Sequence, residues 1–294
     1  MKHKWLDILS RMPLGVHHFF ASWLIYPLLY YVVRYRRKMV DKNLANAFPE
    51  WTPQERNKVR KRFYRQFADL IVETIYGYNI SDTEMRERMQ YTNEEVLTQA
   101  CLTQGGAITM LAHLGTWEWE ADYGRRHEAE GILECNVYRH LKSPYFDRLM
   151  LDIRARRGGE CVEKDLLLRR MVELRKSPYK PMYGMLADQK PSPRNAHVWT
   201  TFLNQETAFL NGSEVLSGKF GLPCFYGYIR SPKRGYYTMT FIPLTGNITE
   251  QYARLLEQNI KEQPWLWLWT HNRWKYKRPQ AAPAERTKTA SLKE

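Results

Sequence analysis

The chain has 294 residues, enough for one large domain with a substantial core, and a net charge of +14 from 45 Lys and Arg against 31 Asp and Glu. That surplus draws polyanions, but no RNP motif, zinc-finger spacing or bZIP heptad speaks for nucleic acid. Anionic lipid head groups and an acidic carrier protein remain, and an aromatic content of 14% tilts the choice toward a membrane interface. Cys101, Cys135, Cys161 and Cys224 form no C-x-x-C pair, and HExxH and GxSxG are absent, so the expected chemistry uses no metal, no disulfide framework and no covalent Ser or Cys intermediate.

In chain order, the first feature is Leu14 to Val33, a predominantly apolar run without Asp, Glu, Lys or Arg. Twenty helical residues span about 30 Å, the thickness of a bilayer core. His17, His18 and Pro27 interrupt it, so a spanning helix and a broken anchor lying in the interface both stay open, with a buried soluble helix as the third reading. Arg34, Arg36, Arg37, Lys38 and Lys42 follow, and the positive-inside rule places the downstream body in the cytoplasm. Thr52, Pro53 and Glu55 make a capping box that starts a helix, with Val59, Phe63, Phe67, Leu70 and Ile71 as its core stripe. Residues 81 to 106 read as a helical connection.

Ala107 to His113 reads as a buried strand, and Gly115-Thr116 as a tight exit into a helix. His113 then sits at the strand's carboxyl end, with Glu118 just beyond the turn. The doubled-back chain lets that carboxylate reach the imidazole, fix one ring nitrogen as a donor and leave the other free to take a proton. Alone, such a pair is more often a satisfied strand-end histidine and a solvated glutamate.

Cys135 to Tyr138 reads as a second strand closed by Arg139. Ser143 and Pro144 start a helix to about Arg157, ended by Gly158 and Gly159. Its Arg154, Arg156 and Arg157 fit either a helix dipole or an anion clamp for phosphate. Pro181 to Ala187 is a third strand, terminated by Asp188-Gln189, with Asp188 at a carboxyl end where open α/β sheets bind ligands. A helix is expected within Phe202 to Phe220, a hairpin over Leu222–Ile229 and Tyr236–Pro243, and an amphipathic helix from Thr249. Trp265, Trp267 and Trp269 read as core, and residues 279 to 294 as disordered.

HLGTWE (His113 to Glu118) resembles the H-x4-D/E signature of lipid acyltransferases. It most resembles the HxGNWE form of the late (secondary) acyltransferases of lipid A biosynthesis, with Thr116 where Asn is common. The basic run with NLANAFP, the VYRHLKSP block, the DQ pair at Asp188-Gln189 and WLWLWTHNRWK extend that resemblance over about residues 13 to 278. His140 replaces a usual proline, and Asn204 a usual glycine.

The resemblance implies an α/β fold, a central mixed sheet flanked by helices (glycerolipid-acyltransferase-like), behind an N-terminal membrane-anchoring helix. The expected parts are an anchor with its basic flank at 1–38, an acyltransferase domain at 39–278 and a tail at 279–294. It implies a membrane-bound enzyme of the bacterial inner membrane, facing the cytoplasm. That enzyme would move a fatty acyl group from acyl-carrier protein, a thioester co-substrate with no further cofactor, to a hydroxyl of a lipid A precursor. His113 is expected as general base with Glu118 orienting it. Arg154 is expected to bind phosphate, with Arg139 as a second candidate, and Asp188 to fix Arg154 or position the acceptor. The partners implied are the carrier protein, an anionic lipid acceptor and the membrane surface, and not nucleic acid. An amino-acid-containing lipid or a lysophospholipid as acceptor, and a non-catalytic lipid-binding scaffold, remain the alternatives.

Overall fold

The structure, a computed structural model, describes residues 4–278, so the tail expected at 279–294 lies outside the described residues. Its strands are β1 (Met89–Thr92), β2 (Ala107–Leu111), β3 (Ile132–Tyr138), β4 (Glu160–Glu163), β5 (Lys180–Leu186), β6 (Val198–Phe202), β7 (Gln205–Phe209), β8 (Cys224–Lys233) and β9 (Tyr236–Leu244). Its helices are α1 (Lys4–Ser10), α2 (Leu14–Phe20), α3 (Arg37–Ala47), α4 (Pro53–Tyr76), α5 (Asp82–Arg88), α6 (Glu94–Gln104), α7 (Asp122–Arg126), α8 (Pro144–Ala155), α9 (Leu167–Leu174), α10 (Gly212–Phe220) and α11 (Ile248–Glu262).

Seven strands form one sheet in the order β1-β9-β8-β2-β5-β3-β4. β8, β2, β5, β3 and β4 run parallel, while β9 pairs antiparallel with β8, so the sheet is mixed, as expected. Every residue of β2 is buried, because it lies between two neighbours with α6 and α10 packed on the sheet. A continuous apolar run such as AITML suits a strand with both faces covered. The capping box at Thr52 and Glu55 is made, and α4 runs 24 residues from it.

The apolar N-terminal run is not one regular helix. Pro27 has no N–H to give, and wide turns flank it: the Tyr26 N–H reaches Ala21 O and the Val33 N–H reaches Leu28 O. Arg34 and Arg36 take left-handed φ of 51° and 50°, and Leu14–Val32 meets Arg37–Ala47 at 84°. Among the described residues no single helix is long and apolar enough to cross a membrane; only this bent pair passes by length and composition together. One face of the run, with Leu14, His17, Ala21, Tyr26 and Tyr30, is buried, and α2 packs on α4. The other exposes Phe19, Trp23, Leu24 and Val32.

Two segments differ from the sequence reading. Residues 81 to 106 are not all helical, since MQYT forms the edge strand β1, parallel to β9. Within 202 to 220 the helix α10 is preceded by the hairpin β6–β7, whose tip residues Leu203 and Asn204 have φ of 48° and 60°. A two-residue hairpin loop of this kind needs positive φ at both positions. Asn visits that region more readily than other side chains do, so Asn204 in place of glycine answers a backbone demand.

Candidate active site

Strand register builds the site. Leu111 of β2 pairs with Leu186 of β5, and His113 and Asp188 each lie two residues beyond, so the two chain exits run side by side. His113 Nδ1 is 2.7 Å from Asp188 Oδ1, and the His113 backbone N–H donates to Asp188 Oδ2 at 3.1 Å. Trp267 Nε1–H gives a third bond to Asp188 Oδ2 at 2.8 Å. Burial alone would raise the Asp188 pKa; the His113 charge and these hydrogen bonds outweigh it and hold the carboxyl below its ordinary 3.8. An ionised carboxylate at Nδ1 places the ring proton there and leaves the Nε2 lone pair outward, 3.2 Å from the Gln189 side-chain amide. The ring's other neighbour is Trp117, with centroids 4.8 Å apart.

Gly115 supplies the tight exit between His113 and Glu118. Its φ is +55°, and a Cβ there would meet the Tyr237 ring at 2.7 Å. The chain then enters a 3₁₀ turn, Trp117–Ala121. Glu118 on that turn accepts two parallel bonds from Arg154 of α8, Nε to Oε2 and Nη2 to Oε1, both at 2.7 Å. Trp117 Nε1 adds a bond to Glu118 Oε1 at 3.1 Å. Burial would lower the Arg154 pKa, but the Glu118 hydrogen bonds and charge raise it, so the guanidinium stays charged. The pair lines a cavity of about 30 Å³ with Leu111, Glu120, Asn136 and Tyr138. That is room for a water or two.

Beneath the ion pair lies a second acidic feature. Glu120 and Glu134 are both fully buried, and Gly124 N–H donates to Glu134 Oε2 at 2.7 Å. Burial pushes Glu120 up to about 7 and Glu134 well above its ordinary value, so the two do not carry two full charges side by side. His271, whose Nε2 accepts from the Lys190 N–H, is pushed down to about 4, chiefly by burial.

The expected site residues thus divide into two pairs that differ from the pairing read in the sequence. Among the described residues the ring of His113 hydrogen-bonds Asp188 and Gln189, not Glu118, and Glu118 is held by Arg154. Asp188 does not fix Arg154; it holds His113. The reason is reach, because the 3₁₀ turn carries Glu118 toward α8 while register delivers Asp188 to the ring. Arg139 is exposed just beyond β3 and joins neither pair. Trp267 and Gln189 were not singled out as site residues. Gln189 had a signal in the DQ pair, whereas nothing local separates Trp267 from its neighbouring tryptophans.

A family model for bacterial lipid A biosynthesis acyltransferases matches residues 6–276. The chain is also similar, at 23% identity over 263 residues, to the lipid A biosynthesis lauroyltransferase of Escherichia coli (strain K12), covering 85% of this chain and 82% of that one. With the match running over nearly its whole length, the chain belongs to the bacterial lipid A biosynthesis acyltransferases and is an acyltransferase of the late lipid A type.

Proposed function

We propose that the enzyme transfers a fatty acyl group from an acyl-carrier-protein thioester to a hydroxyl of a lipid A precursor, with His113 as general base. The observation that carries this is the His113–Asp188 pair, which occupies Nδ1 and leaves Nε2, where the Gln189 amide now sits, as the accepting nitrogen at the carboxyl ends of parallel strands. The acceptor hydroxyl replaces the Gln189 amide at Nε2 and gives up its proton there as its oxygen attacks the thioester carbonyl carbon. The carbon–sulfur bond breaks, the imidazolium returns the proton to the departing thiolate, and an ester and a free thiol result. Asp188 fixes the ring and stabilises the imidazolium.

Arg154 serves as the phosphate-facing cation. A guanidinium has five N–H donors and Glu118 takes two, so the fork is held in place while donors remain for an anion. Arg139 and Lys142, exposed after the cavity-lining Tyr138, suit an acidic carrier protein. The exposed face of Phe19, Trp23, Leu24 and Val32, followed by Arg34, Arg36 and Arg37, suits an anionic bilayer in which the bent segment lies flat. The site would then work at the cytoplasmic face of the bacterial inner membrane.

The test is mass spectrometry of lipids after membranes bearing the wild type or His113→Ala are incubated with acyl-carrier-protein thioesters and a tetra-acylated lipid A precursor. The proposal expects a new acyl mass on the precursor with the wild type alone. Acylation of a lysophospholipid or an amino-acid-containing lipid instead would keep the chemistry and replace the acceptor. Equal product from His113→Ala would remove the general base.

A further inference from the structure

A second buried carboxylate that, like Asp188, gathers three hydrogen bonds lies outside the site described so far. Glu73, in the last turns of α4, is 0% exposed, yet three donors from three separate parts of the chain meet on it. His18 Nε2, on the apolar N-terminal run, lies 2.9 Å from Oε1. Tyr237 OH of β9 donates to Oε2 at 2.7 Å, and the fully buried Thr116 hydroxyl donates to the same oxygen. The backbone carbonyl of Glu73 also accepts from Trp119 Nε1 at 3.1 Å.

Thr116 lies in the middle of the turn from His113 to Glu118. It precedes the 3₁₀ turn but caps nothing there, because its hydroxyl is spent on Glu73. The same turn is gripped by the Tyr237 ring against Gly115 and by the Gly115 N–H bond to Leu266 O at 3.0 Å. On the other side Arg234 ties the His18 segment to the body, donating to the His18 carbonyl at 3.1 Å and to Ser22 Oγ at 2.9 Å while pairing with Asp69. Next to His18 stand the exposed Phe19, Phe20 and Trp23.

We propose that Glu73 is a positioning residue that ties the His113 turn to the N-terminal segment, so that seating this segment on a lipid surface steadies the catalytic turn. The lipid-surface half rests on the proposed membrane reading; the tie itself does not. The physical reason is that a carboxylate without access to water must keep its donors. Withdrawing His18 leaves Oε1 unpaired in the interior, and Glu73 then pulls differently on Thr116 and Tyr237. Two residues 98 positions apart in the sequence thereby share one buried side chain.

The test is a double-mutant cycle on the full chain with His18→Leu, which removes the donor to Glu73, Thr116→Val and their combination. It is read by kcat with a carrier-protein thioester and the tetra-acylated precursor, and by hydrogen exchange at the Gly115 amide, which needs no turnover. The tie predicts that each single change lowers kcat about tenfold and the double variant only about thirtyfold, where independent effects multiply to about a hundredfold. Gly115 exchange speeds up in both single variants while β3 amides keep their wild-type rates. Thr116→Ser retains the hydroxyl and restores activity to within about twofold of wild type. Multiplicative losses, or Gly115 exchange in His18→Leu equal to wild type, overturn the tie.

Anionic phosphatidylglycerol vesicles test the other half. Wild type is expected to float with them and to show slower Gly115 exchange when bound, and His18→Leu to float without the slowing. Flotation with no slowing in the wild type overturns the coupling to lipid. Absence of flotation overturns the membrane reading, and the cycle still decides the tie.

Discussion

His18–Glu73 and His113–Asp188 are nearly the same object in two places. The contacts are 2.9 and 2.7 Å, both histidines are 14% exposed, and both carboxylates are buried. They differ in which ring nitrogen faces the acid. His18 spends Nε2, the tip of the ring, on Glu73, whereas His113 spends Nδ1, the nitrogen beside its own backbone, on Asp188. Only His113 therefore keeps its tip for a substrate, and only His113 stands where parallel strands end. A histidine–carboxylate contact is by itself a fastening; an outward Nε2 makes it a base.

The sharpest way to break the comparison is to neutralise each acid's function. Asp188→Asn is expected to lower kcat by on the order of 10³–10⁴, because an amide at Nδ1 can favour the wrong tautomer. Steady-state kinetics against Glu73→Gln checks it, since a loss there of similar size would erase the distinction. Next in size is the Glu118–Arg154 pair. Arg154→Lys keeps the charge but not the fork, and is expected to raise KM for the phosphorylated substrate roughly tenfold, as about 1.5 kcal/mol of a charge-assisted bond would. A fall in kcat alone, with KM unchanged, would move Arg154 from binding to the reaction itself.

A smaller effect separates these paired acids from the pair beneath them. The folded-state pKa of Glu120 is raised to about 7, so the native state holds a proton that the unfolded chain releases near 4.5. Its contribution is full below the unfolded value and is lost as pH rises through about 7. Glu120→Gln should consequently raise Tm at pH 8 relative to wild type and do little at pH 4. Each kcal/mol recovered is worth roughly 2–4 °C, read by thermal melts at both pH values. The opposite pH trend would mean that the carboxyl is charged and compensated. Smallest of all, Asn204→Gly at the hairpin tip is expected to change stability by less than about 1 kcal/mol in denaturant melts and to leave the acyl products unchanged.

These contrasts also mark what could be read from residues alone. β2 and β5 were legible because continuous apolar runs ending in His113 and Asp188-Gln189 carry a strong pattern. α4 was legible from its capping box and the β8–β9 hairpin from its two apolar runs and turn, while the mixed sheet came from the family resemblance. The pairing of the four site residues was not. Glu118 is five residues from His113 and Asp188 is 75, so sequence distance favours the wrong partner; only strand register brings the distant one nearer. Glu73 left no mark because an acid among the buried residues of a long helix, where Asp69 is buried too, looks like an interruption until its three donors are seen. β1 was missed for a related reason, because four residues with alternating burial are too few to outweigh the helices on either side.

The central claim is that Asp188 holds the Nδ1 proton of His113 and leaves Nε2 as the base. Nitrogen-15 NMR of the enzyme with labelled histidine, at a pH where the ring is neutral, tests it most directly, with His113→Gln assigning the signal. The account predicts the Nδ1–H tautomer for His113 in the wild type and its loss in Asp188→Asn, with Glu118→Gln leaving it unchanged. An Nε2–H tautomer in the wild type, or a tautomer that follows Glu118 instead of Asp188, would contradict it.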